Sequence, residues 1–123
     1  MNGNTGPFIQ YAHARIRSLI SKAGVVPFST NAEALLPEEK EIVQLLSQYP
    51  EVVKEAGKDL SPAVIANYTY ELVKTYNHFY QAVPILIEKD EEVKRLRLLL
   101  SANVAKVIKQ SMKLLGVEVP ERM

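Results

Sequence analysis

Cysteine is absent from the 123-residue sequence. The chain therefore forms no disulfide, no thiolate zinc site and no cysteine nucleophile, which fits a reducing compartment. No apolar run approaches the length of about 20 residues that is needed to cross a bilayer. Residues 1–7 lack the basic and apolar regions of a signal peptide. We therefore expect a cytoplasmic protein that makes no contact with a membrane.

Residues suited to catalysis are scarce. The two histidines, His13 and His78, are far apart in the sequence and fit no metal-ligand spacing. The five glycines are scattered and form no phosphate-binding loop. Two acidic clusters, at residues 38–41 and 90–92, are more typical of a solvated first helical turn than of an active site. The sequence thus predicts no catalytic site, no metal site and no cofactor in this chain.

The distribution of charge is more informative than the net charge of +1. Residues 1–22 contain three basic residues and no acid, and residues 93–115 contain six basic residues and no acid. Residues 24–60 contain seven acids and three lysines. An anionic partner would meet the basic ends if the fold brings them together.

Helix signals recur along the chain, and no segment alternates like a strand for long. The composition, 47% apolar and 24% charged, is that of a folded domain. Capping residues, prolines and glycines divide the sequence into five expected helices, which start near Thr5, Pro37, Pro50, Ser61 and Asp90. We predict one all-α helical bundle over residues 7–116, preceded by a linker at residues 1–6 and followed by a tail at residues 117–123.

Three side chains share one face of the first expected helix. Phe8, Tyr11 and Arg15 lie at positions i, i+3 and i+7, beside the apolar stripe of that helix. Two rings and a guanidinium in line could stack on unpaired bases and bind a phosphate or a base edge. Aromatic residues at helical spacing more often pack in a core, so the spacing leaves both interpretations open. Tyr80, at the end of a later helix, could likewise face the core or a ligand.

A basic stripe follows the last expected helix. Arg95, Lys106, Lys109 and Lys113 lie roughly along one side of it. Such a stripe could follow a phosphate backbone and would make binding fall with salt. An ordinary solvated helix face is the alternative.

Both ends of the chain resemble a known family. Residues 6–16, Gly-Pro-Phe-Ile-Gln-Tyr-Ala-His-Ala-Arg-Ile, are similar to the start of the anticodon-binding domain of arginyl-tRNA synthetases. Residues 114–123, Leu-Leu-Gly-Val-Glu-Val-Pro-Glu-Arg-Met, resemble the terminal motif of the same domain, and residues 49–53 resemble its Tyr-Pro segment. The literal Asp-Ala-Leu-Arg string that names this class of domain does not occur.

This resemblance implies a function and a set of contact residues. It implies a helical bundle of the class I synthetase anticodon-binding type, which grips the anticodon stem and loop of tRNA(Arg). The family residues near the unstacked bases correspond to Phe8, Tyr11, Arg15, Tyr80 and Met123. Every arginine codon has G in the middle, so the site must recognise a cytidine in the anticodon.

The resemblance also implies what lies outside this chain. The nucleotide-binding signatures of class I synthetases, of His-x-Gly-His and Lys-Met-Ser-Lys-Ser type, do not occur. The expected partners are therefore tRNA(Arg) and a catalytic domain of the same enzyme, with neither DNA nor a membrane. Residues 1–6 would be the remnant of a linker to that domain, and ATP and Mg²⁺ would belong to the parent enzyme alone. A glycyl-tRNA synthetase beta subunit and a helical protein-interaction domain without RNA binding are the alternatives.

Overall fold

The computed structural model describes residues 5–27, 29–32 and 35–116. Four helices lie in these ranges: α1 (Thr5–Ala23), α2 (Pro37–Asp59), α3 (Pro62–Ala82) and α4 (Glu91–Leu114). These ranges contain no strand, and the predicted all-α class is confirmed. No helix in the described part of the chain is both long and apolar enough to cross a membrane.

The predicted helix break at Pro50 is wrong, because α2 runs through this residue. The described residues therefore contain four helices where about five were expected. Proline donates no backbone hydrogen bond and disturbs the carbonyls of the preceding turn. Here the carbonyl of Leu45 accepts a hydrogen bond from the Tyr68 hydroxyl of α3. The rings of Tyr49 and Tyr68 also stack, with centroids 5.7 Å apart. Packing on α3 thus supports the turn of α2 that precedes the proline.

Most predicted helix ends agree with the structure. Gly24 and Gly116 follow α1 and α4 with φ of 82° and 80°, in the left-handed region that glycine adopts readily. The Asp90 side chain caps α4 by accepting from the backbone N–H groups of Glu92 and Val93. α1 begins at Thr5, where the capping signal predicts a helix start, and so includes the last two residues of the segment expected to be a linker. The predicted tail, residues 117–123, lies outside the described residues.

The core forms where the apolar stripes of α1, α3 and α4 meet. Its fully buried members from these three helices are Ile9, Ile16, Leu72, Val73, Tyr76, Phe79, Val104, Ile108 and Met112, and α2 adds the fully buried Ile42. Burying one large apolar side chain contributes about 1.5–3 kcal/mol. α2 packs mainly on α3, and α1 packs on both α3 and α4. This arrangement leaves two flanks of α1 at the surface, one beside α3 and the other beside α4.

A buried ion pair joins α2 to α4. The Nε of Arg97 donates to Glu39 Oε2 at 2.9 Å, and its Nη1 donates to the carbonyl of Pro84 at 2.6 Å and to Glu88 Oε2 at 3.3 Å. Glu39 Oε1 also accepts from the backbone N–H of Leu36 at 2.7 Å, at the start of α2. The sequence predicts that Glu39 lies in a solvated first helical turn. It also includes Arg97 in the basic segment that is expected to meet an anionic partner. Both expectations are wrong, because each charge is buried against the other.

Candidate nucleic-acid interface

A groove of about 350 Å³ lies between α1 and α3. Its walls are formed by Pro7, Phe8, Tyr11, Ala12 and Arg15 from α1 and by Asn77 from α3. The helical spacing of the three larger α1 side chains places them on one face, and the packing of α1 turns that face towards α3. The structure therefore brings Phe8, Tyr11 and Arg15 together in one place.

The two rings of α1 have different surroundings. Phe8 is half-buried and packs against the core, with its ring centroid 5.4 Å from that of Tyr70. Tyr11 is 57% exposed. The core interpretation of the aromatic face therefore applies in part to Phe8 and fails for Tyr11. One ring gives the groove a fixed wall, while the other presents its surface to solvent.

Arg15 is held between two residues of α3. Its Cζ lies 4.8 Å from the centroid of the Tyr80 ring, within the range of a cation–π interaction. Its Nη1 donates to Asn77 Oδ1 at 3.4 Å. Because guanidinium has several N–H groups in a planar fork, this geometry leaves further donors for a ligand in the groove.

Tyr80 is supported from the core. Its ring lies 6.2 Å from that of Tyr76, centroid to centroid, and the buried Tyr76 hydroxyl donates to Ser101 Oγ of α4 at 2.8 Å. Burial raises the pKa of Tyr76 well above its usual value of 10.0, so this phenol stays neutral at alkaline pH values where an exposed tyrosine ionises. The half-buried Tyr80 thus rests on a fixed ring and faces Arg15 rather than lying wholly in the core.

The basic stripe lies on the surface of α4. Arg95, Lys106, Lys109 and Lys113 are all exposed. Lys106 and Lys109 also line a second cleft, of about 520 Å³, together with His13 and Arg17 of α1. This cleft lies on the flank of α1 beside α4, because Arg15 and Arg17 are about 200° apart around the helix axis. The structure separates the aromatic groove from the basic cleft by the width of one helix.

Comparison with known proteins identifies the family. A profile of the DALR anticodon binding domain matches residues 9–123. This chain belongs to the DALR anticodon-binding domain family. The family inferred from the two ends is confirmed, although the string that gives the family its name is absent from the sequence.

The anticodon-binding domain is similar to curated arginine–tRNA ligases over nearly all of its length. It is 54% identical to the ligase of Parabacteroides distasonis over an alignment of 127 residues. This alignment covers 99% of this chain and 21% of that protein. It is 52% identical over 121 residues to the ligase of Flavobacterium psychrophilum, covering 98% of this chain and 20% of that protein. The chain thus spans about a fifth of the length of these relatives.

Solved structures show the same fold. The domain superposes on Thermus thermophilus arginyl-tRNA synthetase with a TM-score of 0.90 and 32% identity, over 99% of this chain and 22% of that one. A putative arginyl-tRNA synthetase from Campylobacter jejuni gives a TM-score of 0.86 at 24% identity, over 98% of this chain and 27% of that one. The four-helix arrangement is therefore that of an arginyl-tRNA synthetase domain.

Sequence reasoning missed two residues of the anticodon-binding domain. Asn77 lies in the groove, and its position three residues before Tyr80 on the same helix face was the available signal. Arg17 lies in the basic cleft, and only the packing of α1 on α4 reveals its proximity to Lys106. Met123, the last residue of the predicted site, lies outside the described residues.

Proposed function

We propose that this chain is the anticodon-recognition module of an arginine–tRNA ligase. In this role it holds the anticodon stem and loop of tRNA(Arg) while a catalytic domain outside this chain aminoacylates the other end of the tRNA. ATP and Mg²⁺ are then needed by that catalytic domain and not by this one. The family match and the arginine–tRNA ligases among the relatives support the proposal, and the cytoplasm is where such a module meets its tRNA.

The observation that carries the proposal is the groove between α1 and α3. Its exposed Tyr11 ring stands beside a guanidinium that is fixed over Tyr80. Stacking of an unpaired base on an aromatic ring contributes about 1–3 kcal/mol, and guanidinium N–H groups bind base edges and phosphates. Phe8, Tyr11, Arg15 and Tyr80 are the proposed contacts. Met123 joins them on its match to the terminal family motif.

The stripe on α4 supplies the second part of the proposed interface. Arg95, Lys106, Lys109 and Lys113 place four exposed cations along one helix. Phosphates bound there would position the RNA without reading its sequence. Recognition of the middle anticodon base, cytidine in every arginine tRNA, is then left to the groove.

The test compares two arginine tRNA anticodon stem–loops that differ only in the middle anticodon base, cytidine or uridine. Binding to this chain is measured across a salt series. We expect tighter binding to the cytidine RNA at each salt concentration, with affinity for both RNAs falling as salt rises. Equal affinity for the two RNAs, or no binding at low salt, contradicts the proposal. A protein-interaction domain without RNA binding gives the second result.

The same titrations test the stripe. Lys106→Gln and Lys113→Gln should each weaken binding to both RNAs alike and make the salt slope shallower by about 0.7–0.9 for each phosphate contact that is lost. Lys54→Gln, which removes an exposed charge from α2, is the matched control and should leave the slope unchanged. A change in base preference with an unchanged slope would assign these lysines to the groove instead.

A further inference from the structure

Asn77 has a position in the groove that neither the family match nor the sequence motifs assign to a role. It is half-buried on α3 and lines the groove opposite Phe8, Tyr11 and Arg15. Its Oδ1 accepts a hydrogen bond from Arg15 Nη1 at 3.4 Å. The amide therefore lies within reach of a ligand that touches both Arg15 and Tyr11.

The chemistry of Arg15 fixes the orientation of this amide. A guanidinium has donors and no acceptor, so the Asn77 oxygen, and not its nitrogen, faces Arg15. The NH₂ group of Asn77 is then turned away from Arg15 and can donate to a neighbouring molecule. Arg15 and Asn77 together offer a ligand two adjacent sets of donors.

A pair of donors suits one type of base edge. The Watson–Crick edge of cytosine has two adjacent acceptors, N3 and O2. Uracil has an N3–H donor in place of the first, and guanine has donors at both N1 and N2. A base splayed out of its stack is read along this edge, and a donor facing another donor leaves both unpaired at a cost.

We infer that Asn77 is a specificity-determining residue, which acts with Arg15 to select cytidine over uridine at the middle anticodon position. This inference rests on the proposed function, since it requires that the groove holds an anticodon base. It adds that selection comes from a donor pair contributed by α1 and α3. The Asn77–Arg15 hydrogen bond sets the spacing of that pair.

The decisive variant is Asn77→Asp, tested with the cytidine and uridine stem–loops described above. Aspartate keeps the shape of the side chain and an oxygen for Arg15, but it replaces the NH₂ donor by an acceptor. We expect the variant to bind the cytidine RNA at least tenfold more weakly than the unmodified chain does. The preference for cytidine over uridine should disappear or reverse, because the carboxylate accepts from uracil N3–H.

The matched control is Asn67→Asp. Asn67 is an exposed asparagine on the same helix, and this substitution makes the same change of charge outside the groove. It should weaken binding to both RNAs by the same small factor and keep the cytidine preference. If Asn77→Asp weakens binding to both RNAs only as much as Asn67→Asp does, charge repulsion explains the effect of Asn77→Asp and the inference is overturned.

Two further results separate this inference from the proposed function. If the unmodified chain prefers cytidine and Asn77→Asp retains the full preference, Asn77 does not select the base while the proposed function stands. If the unmodified chain has no preference, the proposed function itself fails. Should Asn77→Asp lower the thermal midpoint of unfolding, Asn77→Ala takes its place, and an intact preference in that variant overturns the inference equally.

Discussion

The guanidinium of Arg15 on α1 lies over the ring of Tyr80 on α3, with Cζ 4.8 Å from the ring centroid. Tyr80 in turn packs against Tyr76, whose hydroxyl is hydrogen-bonded to α4. A charged side chain at the surface is thereby held by a series of contacts that begins in the core. An ordered side chain loses less conformational entropy when it binds a ligand. The contacts with Tyr80 therefore lower the entropic cost of ligand binding by Arg15.

Replacing Arg15 by lysine should remove base selection while keeping the charge. Lysine has no planar fork and makes a poorer contact with the Tyr80 ring. We expect Arg15→Lys to bind the cytidine stem–loop about tenfold more weakly, with an unchanged salt slope. Arg17→Lys, two residues along on the opposite flank of α1, is the control and should keep the cytidine preference. Equal loss of preference in the two variants would show that the flanks of α1 are not functionally distinct.

Truncating Tyr11 should affect RNA binding and leave the fold intact. Tyr11 is 57% exposed, so Tyr11→Ala removes little packing and should cost less than about 1 kcal/mol of folding stability. Loss of one stacked base, at about 1–3 kcal/mol, corresponds to roughly fivefold to 150-fold weaker RNA binding. Tyr11→Phe keeps the ring and should bind almost normally. A collapse of the helical circular-dichroism signal in Tyr11→Ala would instead make this residue part of the core.

Glu39→Gln should destabilise the domain without changing its shape. Glutamine keeps an oxygen for the Leu36 N–H group but leaves the buried Arg97 charge with Glu88 as its remaining carboxylate, 3.3 Å away. Breaking one side of a buried pair costs about 3–5 kcal/mol, and we expect the lower end of that range. The difference in the free energy of unfolding in urea between Glu39→Gln and the unmodified chain measures this loss of stability. Glu41→Gln, an exposed neighbour on α2, should change stability by less than about 0.5 kcal/mol. Equal effects of the two substitutions would contradict the assigned role of the buried pair.

The Tyr68 phenol should make stability depend on pH in the alkaline range. Burial, with a smaller contribution from Tyr49, raises the pKa of Tyr68 from 10.0 to about 12. Because the folded pKa is above the unfolded one, the stabilisation is complete below pH 10 and is lost as pH rises through about 12. Unfolding free energies measured between these limits should fall less steeply in Tyr68→Phe than in the unmodified chain. Parallel slopes for the two proteins would contradict this assignment.

Local signals predict much of the fold, because helix ends depend on a few neighbouring residues. Asp90, Gly24 and Gly116 act where the sequence places them. Pro50 misleads, because the contacts that let α2 continue come from Tyr49 and Tyr68, and the pairing of α2 with α3 is a tertiary contact. Rules that predict helix ends from neighbouring residues in the sequence cannot include this tertiary contact.

In the candidate site, too, the sequence predicts the features that depend on local spacing and misses those that depend on helix packing. The shared face of Phe8, Tyr11 and Arg15 follows from helical spacing alone. The exposure of Tyr11 and the participation of Asn77 depend on how closely α3 approaches α1. The charge count fails at Arg97, since composition does not distinguish a surface cation from one that is paired in the interior.

The buried pair also has a consequence for how this sequence can vary. Losing Arg97 alone leaves the buried Glu39 charge uncompensated, and losing Glu39 alone leaves Arg97 with only the partly exposed Glu88 as a carboxylate partner. Replacing both by apolar residues of similar volume removes both buried charges together. Substitutions at the two positions are therefore expected to be non-additive. Over evolutionary time, positions 39 and 97 should covary: related domains are expected to carry both charges or neither.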